Sequence, residues 1–242
     1  MSPKPALINS VLNTYKSPII MKNIYGAKTS GQIGIARQKY NGSIENEMSV
    51  LRALRWLKTK QNKDGSWNNC KPAMTGLALL CFLAHGETPG NSEEFGDTVQ
   101  RGISYLIETQ TDDGTFMGHD GNNYAHLIAT YALCEAYGMM HVPMIQEAAE
   151  KAVKKIVYGQ NPQGSWDYKM DPHSNRCDTS YSGWAAQALK AAKLAGIGET
   201  VFGVTNACQK AINGFIMNRR ENPVIFSGWD ESPIFPVFRC TA

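Results

Sequence analysis

A sixteen-residue pattern that occurs three times limits what this chain can fold into. In each copy a glutamine lies four residues before a glycine, and an aromatic residue lies two residues after that glycine. The copies are Arg52–Trp67 (RALRWLKTKQNKDGSW), Arg101–Phe116 (RGISYLIETQTDDGTF) and Lys151–Trp166 (KAVKKIVYGQNPQGSW). The glutamines, Gln61, Gln110 and Gln160, are separated by 110 − 61 = 49 and 160 − 110 = 50 positions. Regular self-similarity at about fifty residues predicts a repeat architecture.

A fourth, eroded copy runs from Lys210 to Trp229. Arg219 stands where the glutamine is expected, and about nine extra residues precede the Gly228-Trp229 pair when the repeat units are aligned. The sequence given stops at position 242, where the second helix of this unit would begin. We therefore expect an incomplete last repeat, whose apolar edge would favour a homodimer.

Each unit is predicted to contain two helices of different character. One helix has an apolar stripe at i, i+3, i+4 and i+7, and the other is apolar or alanine-rich on most sides. The amphipathic helices are predicted at Glu45–Gln61, Phe95–Gln110, Pro143–Gly159 and Thr200–Asn218. The apolar helices are predicted at Ala73–His85, Asn122–Tyr137 and Thr179–Ala195.

The economical arrangement places the apolar helices inside and the amphipathic helices outside. The predicted fold class is therefore all-α, an α/α toroid or an open arc of one, built from helical hairpins of about fifty residues. Residues 1–43 show no sustained period and are predicted to form an irregular leader with a short helix near Leu7–Tyr15. Residues 44–242 are predicted to form the repeat domain.

Composition and charge narrow the choice of partners and compartment. The net charge is +3, and the basic residues are scattered, which argues against a nucleic-acid surface. No apolar run reaches the ~18 residues of a membrane span, and no secretory signal is visible. The six cysteines show no CxxC spacing, and Cys81 and Cys134 are interpreted as buried thiols in apolar helices. A reducing, cytoplasmic setting is expected.

The repeat resembles a known family. An outer helix, a glutamine, a Gly-x-Trp turn and an apolar inner helix are similar to the QW-type repeat of squalene–hopene and oxidosqualene cyclases, and to the repeat of protein prenyltransferase β subunits. The segments that carry the resemblance best are RWLKTKQNKDGSW, KIVYGQNPQGSW, NNYAHLIATYALCEAYGM and DTSYSGWAAQALKAAKLAGI. The last two look especially like a bacterial branch of the superfamily with no assigned reaction. The resemblance implies a toroid with a central apolar cavity.

The catalytic acid motif of triterpene cyclases, which this resemblance implies, is incomplete in the sequence. Triterpene cyclases carry Asp-x-Asp-Asp-Thr at the entry to an inner helix, and the middle Asp protonates the alkene. The matching stretch here is Asp178–Ser182, DTSYS, in which Ser180 and Tyr181 replace the second and third carboxylates. A serine does not protonate an unactivated alkene, so that route to cationic cyclisation is not expected.

The zinc motif of protein prenyltransferases is also incomplete. Those enzymes place Asp-x-Cys-Tyr-Ser-x-Trp at the same helix entry. Residues Asp178–Trp184 match that pattern, except that Ser180 replaces the zinc-binding cysteine. The thiolate is the ligand that zinc most needs. The loop residues Asp171, His173 and Cys177 match no standard zinc signature, so no metal or other cofactor is predicted.

Six residues remain as site candidates, each with a structural alternative. Asp178, His126 and Tyr124 are the candidate catalytic residues, but an aspartate that opens a helix is also a common N-cap, and a histidine in an apolar helix is often a core residue. Three residues of the Thr179–Ala195 helix are predicted to line the cavity wall or to pack in the core: Tyr181, Trp184 and Gln187.

Three functions remain open. The preferred hypothesis is a repeat domain that binds an apolar, isoprenoid-like molecule or a peptide in its central hollow. The second is a terpene cyclase or prenyltransferase with a divergent active site around Asp178, and the third is a structural or assembly scaffold. The residues alone leave open whether the chain is an enzyme, because fold does not determine function.

Overall fold

The computed structural model describes residues 23–118 and 124–218, and its regular structure in these ranges is helical. A 3₁₀ helix at Asn23–Lys28 comes first. The α-helices are α1 (Ser30–Lys39), α2 (Ile44–Thr59), α3 (Lys71–Ala84), α4 (Gly96–Thr109), α5 (Tyr124–Met140), α6 (Pro143–Tyr158), α7 (Thr179–Leu194), α8 (Ile197–Thr200) and α9 (Val204–Asn218). β pairing in the described ranges amounts to one isolated bridge, between Gln61 and Trp67.

The helices form two layers. The apolar helices α3, α5 and α7 pack side by side as the inner layer, with α5 in the middle. The amphipathic helices α4, α6 and α9 lie behind them, and α2 lies behind α3. This arrangement confirms the predicted all-α toroid architecture, of which the described residues form an open arc. We call the side of α3, α5 and α7 that is turned away from the outer helices the inner face.

Two boundaries differ from the prediction. The 3₁₀ helix and α1 lie inside the segment that was predicted to be irregular. Isolated glycines such as Gly34 are tolerated within a helix at a cost of about 1 kcal/mol, so Gly34 does not prevent α1 from forming. The predicted helix Thr200–Asn218 begins four residues later, as α9 at Val204, because Thr200 ends the short α8 and Gly203 adopts a φ of +96° just before α9. The predicted short helix at Leu7–Tyr15 lies outside the described residues.

The repeated glutamine joins one repeat to the next. In all three copies its Nε2 donates to the carbonyl of the turn glycine, at 3.0 to 3.1 Å, and to a carbonyl of the next outer helix, at 2.9 Å. The acceptors in the next helix are Thr98, Ala148 and Ala207. The Gln61 amide does not bond α2, the helix that it follows. Instead Trp67 does so, since its Nε1 donates to the Leu57 carbonyl at 2.8 Å.

Replacing one glutamine should weaken the contact between repeats. We expect Gln110→Ala to lower the free energy of unfolding by about 1–3 kcal/mol, because two partly buried carbonyls lose their donor. The matched control is Gln187→Ala, which alters an exposed glutamine of α7 and should change the free energy by less than about 0.5 kcal/mol. Urea denaturation of both variants measures the difference. Equal stabilities would show that the glutamine does not hold the repeats together.

Apolar side chains are exposed at both ends of the arc. Met48 and Trp56 are exposed on α2, and Phe202, Ile212 and Ile216 are exposed around α9. Val153, which stands in α6 where Ile212 stands in α9, is fully buried. The expected self-association through this edge stays a prediction.

Among the described residues, no helix combines the length and the hydropathy needed to cross a bilayer.

Candidate functional site

Aromatic side chains gather where α5 and α7 begin. The ring of Tyr124, the first residue of α5, lies 5.0 Å from the Tyr181 ring at an interplanar angle of 70°. Tyr168, from the loop before α7, lies 5.8 Å from Tyr124 and 5.6 Å from Tyr181. These edge-to-face and tilted geometries are favourable for aromatic rings. The structure therefore brings together Tyr124 and Tyr181, which the sequence singled out, and adds Tyr168.

Asp178 is the N-cap of α7 and is held by three donors. One carboxylate oxygen accepts from the Tyr181 backbone N–H at 2.8 Å and from the Ser180 hydroxyl at 3.0 Å. The other oxygen accepts from the Tyr168 hydroxyl at 2.7 Å. The side chain is 4% exposed. Because all three bonds use the carboxylate as an acceptor, this geometry suits a helix cap that fixes Tyr168 and Tyr181 in place.

The pKa values of Tyr168 and Tyr181, which lie beside Asp178, are raised above the ordinary value of a phenol. Burial raises the pKa of Tyr168, and its hydrogen bond to Asp178 raises it further. Burial also raises the pKa of Tyr181, with a smaller contribution from the charge of Asp167. The Tyr181 hydroxyl is buried and has no hydrogen-bond partner among the described residues. The Tyr124 hydroxyl is bonded to the exposed Ser180 hydroxyl. The cluster thus offers phenol hydroxyls and the ring surfaces of the half-buried Tyr124 and Tyr168, which pack against the fully buried Tyr181.

A small apolar cluster continues the aromatic site along the inner face. Ala73 on α3 packs with Ala125 and Ile128 on α5, and the half-buried Tyr124 and Trp184 close the cluster. Next to Trp184 in the chain, Gly183 leaves open space: apart from its chain neighbours and the nearby backbone of α7, no described atom lies within 4 Å of a Cβ built there. The inner face therefore presents a shallow apolar wall.

The remaining candidates of α7 differ in exposure. Tyr181 is fully buried, Trp184 is half-buried and Gln187 is exposed. Tyr181 therefore packs in the core, and Gln187 reaches solvent one turn beyond Trp184. Sequence reasoning overlooked Tyr168, although an aromatic two residues after Trp166 and ten before the capping Asp178 was a visible signal.

His126 is a core histidine that stabilises the turn of the second repeat. Its Nδ1 accepts from the Phe116 backbone N–H at 3.3 Å, and its Nε2 donates to the Ala152 carbonyl at 3.1 Å. In the first and third repeats the equivalent aromatic N–H is bonded by the hydroxyls of Thr75 and Ser182. Both ring nitrogens of His126 thus bond the main chain, and the residue is only 1% exposed.

The buried His126 makes stability depend on pH. Burial lowers its pKa to about 4, against an ordinary value of 6.5. The unfolded chain therefore binds a proton at higher pH than the folded chain does. The stability that neutral His126 provides is complete above pH 6.5 and is lost as the pH falls towards 4. The expected loss is about 3 kcal/mol, since one pKa unit corresponds to about 1.4 kcal/mol.

A comparison of variants isolates this effect. His126→Thr replaces the imidazole with the residue type that acts in the first repeat, so the variant should lose less stability than the wild type between pH 6.5 and 4. Exposed His173→Asn is the control and should keep the wild-type slope. His85 contributes with opposite sign in all three proteins: burial lowers its pKa, but bonds to Glu47 and Glu87 raise it overall. Parallel curves for wild type and His126→Thr would contradict the assignment.

The described residues contain no group of three His, Cys, Asp or Glu side chains that could hold a metal ion. The loop residues that were considered as metal ligands differ in exposure: Asp171 and His173 are exposed, whereas Cys177 is buried. The Asp171 carboxylate accepts from the His173 backbone N–H at 2.9 Å, which is a turn interaction.

Comparison with known proteins gives curated relatives that include squalene–hopene cyclases and a lanosterol synthase. A probable squalene–hopene cyclase of Sinorhizobium fredii is 29% identical over 187 residues, which cover 64% of this chain and 28% of the relative. The squalene–hopene cyclase of Zymomonas mobilis is 27% identical over 198 residues, covering 72% of this chain and 29% of the relative. Lanosterol synthase erg7A of Aspergillus fumigatus is 24% identical over 124 residues, covering 48% of this chain and 16% of that protein.

The chain therefore spans somewhat more than a quarter of the length of these bacterial relatives. No solved structure gives a significant match. The squalene–hopene cyclase C-terminal domain family matches residues 71–222, which include α3 to α9 and the tyrosine cluster. Family match, helical-hairpin repeat and glutamine-linked turns agree, and the chain belongs to the squalene–hopene cyclase C-terminal domain family.

Proposed function

We propose that the inner face binds an apolar, isoprenoid-like molecule at the aromatic site. The observation that carries this proposal is the grouping of Tyr124, Tyr168 and Tyr181 around the start of α7, continued by Trp184 and the Ala73–Ile128 contact. Ring faces and small apolar side chains suit a flexible hydrocarbon, because such a ligand gains about 25 cal/mol for each Å² of apolar surface removed from water.

The printed names of the relatives support this class of ligand. Two bacterial relatives act, by their names, on squalene, a branched hydrocarbon built of isoprene units. In this chain the aromatic wall lies within the part that matches their family. Squalene is therefore the first compound to test, and a shorter prenyl alcohol is the second.

Binding is preferred to cyclisation because of what surrounds Asp178. An acid that protonates an alkene must direct its own proton at the substrate. Here both carboxylate oxygens accept hydrogen bonds from Tyr168, Ser180 and the α7 backbone. Ser180 and Tyr181 occupy the other two positions of the acid motif and carry no acidic carboxyl group. His126, the other candidate, bonds the main chain through both ring nitrogens.

The proposal predicts that squalene stabilises the folded chain. At a free concentration 100 times the dissociation constant, the free energy of unfolding should rise by about 2.7 kcal/mol. Trp184→Ala should weaken binding about tenfold, because it removes the largest partly exposed ring of the inner face. Trp56→Ala is the matched control, since Trp56 is exposed on α2 in the outer layer. Thermal melting in a fixed detergent concentration, with and without squalene, gives the measurement.

Two outcomes would contradict the proposal. One is an unchanged melting temperature with squalene and with farnesol, and the other is the same loss in Trp56→Ala as in Trp184→Ala. The same samples test the catalytic alternative by gas chromatography of extracted lipids. A cyclised product that forms with the wild type and is lost in Asp178→Asn would replace the binding function with a divergent cyclase.

A further inference from the structure

The N-terminal 3₁₀ helix lies on the inner helices. Tyr25 is only 3% exposed although it belongs to a six-residue helix. Its ring lies against Gly138 of α5, where a Cβ would come within 2.5 Å of the tyrosine ring. Lys28 Nζ donates to the Glu135 carboxylate of α5 at 2.5 Å. The Lys28 carbonyl meets Gly86, which follows α3 and has a φ of +87°.

These contacts fall on the inner face. Tyr124, Tyr131, Glu135 and Gly138 are spaced at i, i+7, i+11 and i+14, which places them along one line of α5. Because α3, α7 and α6 cover the other sides of α5, this line is turned towards the hollow of the arc. The aromatic site occupies its N-terminal part, and the 3₁₀ helix occupies its C-terminal part.

We propose that the C-terminal half of the inner face is a peptide-binding site that the chain's own residues 23–28 fill. The recognised element is an aromatic residue followed three positions later by a basic residue, on a 3₁₀ turn. Tyr25 and Lys28 have this spacing, and a 3₁₀ helix with three residues per turn sets them on the same side. The Tyr25 ring packs against Gly138, and the Lys28 amine pairs with Glu135. Gly86 has no side chain, which allows the Lys28 carbonyl to lie close to it.

The site is complementary to residues 23–28 in both its apolar and its charged groups. A tyrosine ring can bury about 150–250 Å², which gives the segment an apolar anchor. Glu135 is 8% exposed, and a buried carboxylate without a partner is strongly unfavourable, so the lysine is required. Burial raises the pKa of Tyr25, and the charge of Glu135 adds to the effect. The segment is covalently attached, so its effective concentration at the site is high and excludes competing peptides.

The test uses the full chain and a labelled peptide. The probe is a synthetic peptide of residues 20–31 with a fluorophore, and its binding is measured by fluorescence anisotropy. The full chain with Tyr25→Ala and Lys28→Ala should bind this peptide at least tenfold more tightly than the wild type, whose own segment fills the site. A peptide that carries Lys28→Glu should bind neither the wild type nor this double variant. It should bind a triple variant that combines Tyr25→Ala and Lys28→Ala with Glu135→Lys, because the charges then match again.

A second measurement covers the case in which the double variant does not fold. Lys28→Glu alone should lower the melting temperature, and adding Glu135→Lys should restore most of the loss. Failure of this charge exchange to restore stability overturns the proposal, as does equal peptide binding by the wild type and the double variant, or binding by neither when both are folded. The proposal goes beyond the squalene-binding function, and squalene binding measured in the same chains reports on that function separately.

Discussion

Gly164→Ala is expected to lower the free energy of unfolding by about 4 kcal/mol. Gly164 turns the chain after Gln160 with a φ of +82°, which is unfavourable by about 1–3 kcal/mol for a residue with a side chain. A Cβ at this position would also lie 2.6 Å from the carbonyl carbon of Lys210 in α9. Relieving such a contact costs a further 1–3 kcal/mol or so. A loss of this size is a large fraction of the stability of most domains.

The chain contains a control of opposite sign. Gly183→Ala adds the same methyl group inside α7, where no described atom outside its chain neighbours and the nearby backbone of α7 lies within 4 Å of the new Cβ. Alanine is favoured over glycine in a helix by about 1 kcal/mol, so this variant should be slightly more stable than the wild type. Chemical denaturation of both proteins gives the comparison. If the two substitutions change stability alike, close approach between the turn and α9 does not determine stability here.

The repeat itself was readable because its signals are local. The Asp64-Gly65 pair indicated a turn, and Trp67 needed burial and an acceptor for its N–H, both of which the structure provides. The bond from Gln61 to Thr98 spans 37 positions and depends on how repeats stack, which local spacing does not encode. The repeated spacing therefore singled out the glutamine but could not predict its partner in the next repeat.

Side-chain environments on the inner face were harder to predict. The α3 sequence is apolar on nearly all sides, which suggested that Cys81 was buried, whereas it is exposed and Cys134 is buried. Hydrophobic periodicity does not distinguish a face covered by protein from a face that borders a hollow. His126 was ambiguous for a related reason: its equivalents in the other repeats are Thr75 and Ser182, so no shared residue type revealed its structural role.

The N-terminal contacts were invisible to pattern analysis. Tyr25 and Lys28 lie in a short segment without periodicity, and their partners on α5 are more than a hundred positions away. Glu135 is an isolated acidic residue in the apolar helix α5, and its partner Lys28 lies 2.5 Å from it. Buried charges of this kind require a partner, so an acidic residue inside an apolar inner helix was itself a signal that another segment covers the face.

Trp166→Ala is expected to lower the free energy of unfolding by about 3–5 kcal/mol, the usual range for deleting a buried aromatic ring. Trp166 is fully buried, and its Nε1 donates to the Ile156 carbonyl at 2.8 Å. The Trp166 carbonyl also accepts from the Asp178 backbone N–H at 3.2 Å, so loss of the ring should disturb the turn that positions Asp178. Guanidinium denaturation measures the loss, and squalene binding should weaken as well.

Trp166→Phe distinguishes the stability that comes from burying the ring from the stability that comes from its hydrogen bond. Phe116 occupies the same position in the second repeat without a ring N–H, and it is fully buried there. The phenylalanine variant should therefore keep most of the apolar contact and lose about 1–2 kcal/mol, mainly from the Ile156 carbonyl left without its donor. If Trp166→Phe is as unstable as Trp166→Ala, the hydrogen bond rather than ring burial fixes the turn. A phenylalanine variant that matches the wild type would instead show that ring burial alone is sufficient in the third repeat, as it is in the second.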